Sequence, residues 1–152
     1  GMKVVANDIY ATDGNVDLEI GDISFSIECP LVSMDEILRS SDVVSLHIPA
    51  QPDGSAVIGK EQLDQMKPGA LLINAARGGV LDEDALIAAL NSGHLGGAAL
   101  DVFVGEPSPR ADVLSHPGLS LTPHTGAATG EAQDRIGLEL ASQIAELEKT
   151  RA

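Results

Sequence analysis

Three residues of this 152-residue chain are of the types that move protons and hold anions: Arg77, Glu106 and His124. Arg77 ends the run INAAR and is followed by Gly78 and Gly79. Glu106 sits in GEP, and His124 closes LTPH just before Thr125, Gly126 and Ala127. A guanidinium offers a planar fork of donors that fits a carboxylate and its neighbouring carbonyl oxygen. An imidazole can give or take a proton near neutral pH, and a carboxylate beside it fixes its tautomer and favours its charged form. Together these are the parts needed to reduce a 2-keto acid. The arginine orients the substrate, the His–Glu pair supplies the proton to the new hydroxyl, and the hydride comes from a cofactor. Each residue alone has an ordinary alternative as a cap, a salt-bridge partner or a surface histidine. The combination, with a glycine-containing loop beside both Arg77 and His124, is what points to acid–base work on an anionic substrate.

These residues meet only if the elements between them bring them to one edge. The pattern predicts a strand over Lys3–Asp8, a polar loop over 11–22 and a half-exposed strand over Ile23–Glu28, where apolar and polar residues alternate. A helix is expected over Ser33–Ser41, capped by Ser33 with Glu36 three residues on. A strand at Asp42–Pro49, a helix at Gly59–Lys67, a strand at Ala70–Ala76 and a helix at Asp82–Gly93 follow. Strands at Gly97–Phe103 and Leu119–His124 come next. A terminal helix over Thr129–Arg151 carries Ile136, Leu140, Ile144 and Leu147 on one side. Strand–helix alternation at this spacing predicts an α/β domain with a parallel sheet and, through right-handed crossovers, helices on both faces. In open parallel sheets ligands bind beyond the carboxyl ends of the strands. Those ends are expected to deliver Asp8, His47 with Pro49, Asn74 to Arg77, Asp101 with Glu106 soon after, and Pro123 with His124.

Composition sets the bounds. Hydrophobic residues make up 43% of the chain but aromatics only 2%, so the core must be built from Ala, Val, Leu and Ile, which suits buried parallel strands. A net charge of −14 argues against a nucleic-acid or anionic-membrane partner, because phosphate contacts need clustered Lys and Arg. The lone Cys29 excludes an intrachain disulfide and any multi-cysteine metal site, and a cytoplasmic setting fits it. No metal site is expected. No apolar run approaches the roughly 18 residues of a membrane span, and no apolar signal core opens the chain.

The segments SDVVSLHIP, MKPGALLINAARGGVLDEDAL, HLGGAALDVFVGEP and LTPHTGAATGEAQ, in this order and spacing, closely resemble the cofactor domain of the D-isomer-specific 2-hydroxyacid dehydrogenases, and within them the 3-phosphoglycerate branch. The likeness runs from Leu31 to Leu147, and GMKVVANDIY matches the second strand of the family's dinucleotide fold more weakly. It implies a Rossmann-like, doubly wound, three-layer α/β/α fold and NAD as cofactor. It also implies a small 2-hydroxy or 2-keto acid as substrate and a homo-oligomer such as a dimer. Carried over residue by residue, Arg77 matches the substrate-orienting catalytic arginine, His124 the general acid/base and Glu106 its carboxylate partner. Asp8 matches the acid on the adenosine ribose, which implies NAD over NADP because a carboxylate repels a 2′-phosphate. His47 and Pro49 match a corner near the adenosine. Ala75, Ala76 and Arg77 line the nicotinamide end, Asp101 lies near the carboxamide, and Thr125, Gly126 and Ala127 pack beside the ring together with His124. Glutamate at 106 also separates the chain from the formate dehydrogenase branch, which places glutamine there.

Two pieces of the family pattern do not occur in the 152 residues. There is no phosphate-binding G-x-G-x-x-G, with the first strand that precedes it, and no substrate domain. The chain therefore reads as a partial NAD-binding domain over residues 1–152. It is a piece of a longer polypeptide, a naturally shortened product, or a modified fold in which ISFSIE takes the vacant sheet position. In each case the chain alone is expected to be a weak dehydrogenase or none. The competing expectations are a non-catalytic dinucleotide-sensing or protein-interaction module, as in the corepressor branch, and an inactive remnant.

Overall fold

The computed structural model describes residues 1–151. Its centre is a parallel sheet of β3 (Val43–Leu46), β4 (Leu71–Asn74), β5 (Gly97–Leu100) and β6 (Leu119–Leu121), in that order; β1 (Asn15–Ile20) and β2 (Ile23–Glu28) lie outside it. Register pairs Val44 with Leu72, Leu72 with Ala98 and Ala98 with Leu119, so each strand lies next to its sequence neighbour. Helices α1 (Met34–Ser40), α2 (Lys60–Gln65) and α3 (Glu83–Asn91) alternate with these strands. This is the α/β fold expected, a parallel sheet with helices around it.

Local chemistry sets the helix limits. Ser33 Oγ accepts from the Glu36 N–H at 3.2 Å at the start of α1, and Gln62 Oε1 accepts from the Gly59 N–H at 3.1 Å at the start of α2. Asp82 Oδ1 takes the N–H groups of Asp84 and Ala85 at 3.0 and 3.1 Å, which caps α3. Leu38 of α1, Leu63 of α2 and Leu86 of α3 share one core cluster with Val44, Leu46, Leu72, Ala98 and Leu100 of the sheet. Burying each leucine contributes about 1.5–3 kcal/mol, enough for this cluster to fix the strand order. Burial alternates along β3, β4 and β5, so one face carries the core. On the other face Val43 and Leu71 stay 43% and 44% exposed, so that face is covered less fully.

The N-terminal third departs from expectation. Lys3–Asp8 is not a strand. Only Ala6 pairs, with Leu31, through Ala6 N–H to Pro30 O at 3.0 Å and Val32 N–H to Ala6 O at 2.8 Å. A strand needs a ladder, and the four-stranded sheet ends at β3 on that side. The polar loop expected over 11–22 contains β1 (Asn15–Ile20), which pairs antiparallel with β2 (Ile23–Glu28). Its alternation of Val16, Leu18 and Ile20 with acids was obscured by surrounding Asp and Gly. The two-residue turn opens on Gly21 at φ 61°, a conformation that suits glycine in tight hairpins. ISFSIE therefore does not take the vacant position in the main sheet, because its hydrogen bonds go to β1. Val16/Ile27, Leu18/Phe25 and Ile20/Ile23 stand opposite one another as exposed apolar pairs, not the half-exposed strand anticipated.

A short helix missed in the sequence, α4 (Ala111–Leu114), precedes β6, and α5 (Gly130–Arg151) closes the chain. Along α5 the side chains of Ile136, Leu140 and Ile144 are exposed.

Candidate active site

Because β3 to β6 run parallel, their carboxyl ends share one edge. His47 follows β3, and its Nε2 shares a 2.8 Å hydrogen bond with Ser45 Oγ; Pro49 follows, exposed. Asn74, Ala75, Ala76 and Arg77 continue β4, Asp101 follows β5, and Thr122 to His124 follow β6. Asp8 is not delivered by the sheet. It lies exposed in a turn where its Oδ1 accepts the N–H groups of Tyr10 and Ala11 at 2.7 and 3.0 Å, and these bonds hold its carboxyl below the usual carboxylate range.

The Arg77 turn is built by Asn74, which is 2% exposed. Its Oδ1 accepts from the Ala76 N–H at 3.1 Å and its Nδ2 donates to the Arg77 carbonyl at 3.2 Å. Ala76 is buried and Ala75 is exposed, so one methyl anchors the turn and the other faces solvent. Arg77 is exposed, donates from Nη1 to the Ala76 carbonyl at 2.7 Å, and pairs with no carboxylate among the described residues. Gly78 lies against the Phe103 carbonyl; a Cβ there would stand 2.0 Å from that oxygen. Gly79 takes φ 82°.

Opposite stands the pair. Glu106 Oε2 lies 2.7 Å from His124 Nδ1, and Glu106 Oε1 accepts from the Phe103 N–H at 2.8 Å. The bonds from His124 and from the Phe103 amide hold the Glu106 carboxyl below its ordinary value. An ionised carboxylate only accepts, so Nδ1 carries the donated proton and Nε2 is left with its lone pair. His124 has φ 54°, in the left-handed region that few non-glycine residues occupy, a local strain of the kind that gathers at functional sites.

Asp101 holds that strained loop. It is 9% exposed, and its Oδ1 accepts from Thr122 Oγ1 at 2.5 Å and from the Thr125 N–H at 2.9 Å. Its Oδ2 accepts from the Gly126 N–H at 2.9 Å. Burial works to raise the Asp101 carboxyl, but these three bonds and the nearby His124 outweigh it and hold it below the ordinary value. The loop on both sides of His124 is thus tied to one carboxylate. Gly126 leaves room for it, since a Cβ there would lie 2.9 Å from Oδ2. The Ala127 carbonyl accepts from Gln133 Nε2 at 3.0 Å, tying the loop to α5.

Sequence reasoning placed Asn74, Arg77, Asp101, Glu106 and His124 near the sheet edge but missed the bonds that support them. Asn74 at a strand end could have been found as a residue whose side chain closes its own turn. Thr122 and Glu83 gave no signal, because their partners are 21 residues away in each case. Among the described residues no cluster of His, Cys, Asp and Glu could hold a metal ion.

Comparison with known proteins gives this geometry a context. Residues 1–126 match the model of the D-isomer specific 2-hydroxyacid dehydrogenase, NAD binding domain. D-3-phosphoglycerate dehydrogenase of Synechocystis is 40% identical over 144 residues, which span 95% of this chain and 24% of that protein. The chain thus spans about a quarter of the length of such curated relatives. The holo form of D-mandelate dehydrogenase from Rhodotorula graminis superposes with a TM-score of 0.72 at 34% identity, covering 87% of this chain and 36% of that one. NAD-dependent formate dehydrogenase from Staphylococcus aureus, solved with NAD, gives 0.68 at 33% identity, covering 82% of this chain and 38% of that one.

Proposed function

This chain belongs to the D-isomer-specific 2-hydroxyacid dehydrogenases, and we propose that it is the part of such an enzyme that presents the acid–base pair and the substrate-orienting arginine to a small 2-keto acid or D-2-hydroxy acid. The observation that carries this is the 2.7 Å contact between Glu106 and His124 at the sheet edge that also bears Arg77. The NAD-binding domain match makes NAD the cofactor, and when bound it supplies or accepts the hydride.

The chain's own residues divide the remaining work. Arg77, free of any ion pair among the described residues, grips the substrate carboxylate. Glu106 keeps the Nδ1 proton in place, so His124 Nε2 faces the substrate oxygen and donates or takes the proton there. The exposed Ala75 leaves the backbone open to the nicotinamide end, and Asp101 keeps Thr125, Gly126 and Ala127 in register beside it. Asp8, on its exposed turn outside the sheet, would take the adenosine ribose and favour NAD over NADP, and His47 with Pro49 would flank the adenosine. The cofactor's diphosphate finds no G-x-G-x-x-G in these residues. The residues present therefore fit the nicotinamide end best.

Likeness to D-3-phosphoglycerate dehydrogenases makes a phosphorylated 2-hydroxy acid the first substrate to try. The relatives are dehydrogenases, which does not favour the non-catalytic module. The exposed apolar pairs of the β1–β2 hairpin support a dimer, which light scattering reads directly. Among the described residues no helix is long and apolar enough to cross a membrane. A cytoplasmic setting is the reading that the lone Cys29 supports. The test is to put this 152-residue chain in place of the matching segment of the Synechocystis relative and assay NADH-dependent reduction of 2-keto acids. Turnover supports the proposal; a joined protein that folds and binds NADH yet reduces none of them contradicts it.

A further inference from the structure

Glu83 is an odd residue to bury. It opens α3, is 7% exposed, and uses only one of its carboxylate oxygens. Oε1 accepts from the Val104 N–H at 2.8 Å, while Oε2 is buried with no hydrogen-bond partner among the described residues. A carboxylate half satisfied in this way packs worse than an apolar side chain of similar size, so packing does not account for it. The bond to Val104 does.

Val104 sits in the turn that carries Glu106. Three contacts fix that turn. Glu83 holds the Val104 amide, Glu106 Oε1 holds the Phe103 amide, and Gly78 lies under the Phe103 carbonyl. The first comes from the start of α3 and the last from the Arg77 turn, so the segment 78–83 grips the segment 103–106 at both of its own ends. The remaining oxygen of Glu106 then reaches His124 Nδ1. The other carboxylate beside the His124 loop is Asp101, which accepts from the N–H groups of Thr125 and Gly126.

We propose that Glu83 is a positioning residue: through the Val104 amide it fixes the Phe103–Glu106 turn against the Arg77 turn and so keeps Glu106 in hydrogen-bonding reach of His124. This rests on the acid–base reading of Glu106 and His124 given above, but it is tested without turnover.

The experiment is nitrogen NMR of the neutral imidazole of His124 in the full 152-residue chain, which reports the fraction carrying the proton on Nδ1. The chain is compared with Glu106→Ala, Glu83→Ala and Glu83→Gln, with folding checked by circular dichroism. The wild type is expected to hold the Nδ1–H tautomer and Glu106→Ala to lose it. Glu83→Ala is expected to move at least halfway to Glu106→Ala. Glu83→Gln, whose Oε1 still accepts from Val104, is expected to stay with the wild type. A folded Glu83→Ala with the wild-type tautomer overturns the proposal, as does a Gln variant as disruptive as Ala. Should Glu83→Ala not fold, Glu83→Asp keeps the charge while withdrawing the acceptor by about one carbon–carbon bond of roughly 1.5 Å. A loss of the Nδ1–H tautomer in that variant supports the proposal and its full retention overturns it. Equal tautomers in the wild type and Glu106→Ala would instead remove the acid–base pair itself, and the proposal with it.

Discussion

The His124 ring and the Glu106 carboxylate face each other across 18 residues of sequence, Nδ1 to Oε2 at 2.7 Å, with His124 in a left-handed backbone conformation. Neither residue is held by the other alone. Glu106 is tied to the Phe103 amide, and the loop of His124 is tied through Thr122, Thr125 and Gly126 to Asp101. His124 is therefore held by two separate carboxylates, one bonded to the ring and one to the backbone around it.

Glu106→Gln is expected to flatten the acid limb of the stability profile. The Glu106 carboxyl is held below its ordinary value of about 4.3, so what it contributes is fully present above that pH and lost as pH falls through the lowered value. Denaturant midpoints between neutral and acid pH check this. The wild type should lose stability more steeply than the variant as the solution becomes acid.

Asp101→Asn should loosen the histidine loop. An amide cannot accept from Thr122, Thr125 and Gly126 at once without turning its own N–H groups on one of them. One backbone donor is left unmet, at a cost of about 1–3 kcal/mol. Thermal unfolding reads the loss as roughly 2–4 °C per kcal/mol for a chain of this size. Amide exchange at Thr125 and Gly126 should rise more than at β4, and equal protection in both places would contradict the assignment.

Gly78→Ala is expected to separate the Arg77 turn from the Phe103–Glu106 turn. A Cβ there would stand 2.0 Å from a backbone oxygen, a clash only backbone movement relieves, at a cost of about 1–3 kcal/mol. Gly137→Ala in α5, where a Cβ meets nothing, should leave stability unchanged or improve it slightly. The same denaturation assay on both variants tests the contrast.

The sheet and the polar residues at its carboxyl edge were legible because each leaves a local mark. The strands are aliphatic runs bounded by Pro and Gly, and Arg77, Asp101 and His124 stand at their ends. The N-terminal region was less legible. KVVAND has the composition of a strand, but a strand is defined by its neighbour, and only Leu31 lies beside Ala6. The alternation of β1 was masked by the Asp and Gly residues that flank it, Asp13-Gly14 and Gly21-Asp22. The supporting bonds of Glu83 and Thr122 are long-range and depend on side-chain direction, which residue spacing does not reveal.

Turnover without the His124 imidazole decides whether His124 is the proton donor and acceptor that we propose. With this chain in place of the matching segment of the Synechocystis relative, His124→Ala should lower kcat for NADH-dependent keto-acid reduction by about 100-fold or more while NADH affinity is kept. A variant that folds, binds NADH as before and turns over within a few-fold of the unaltered protein would contradict it.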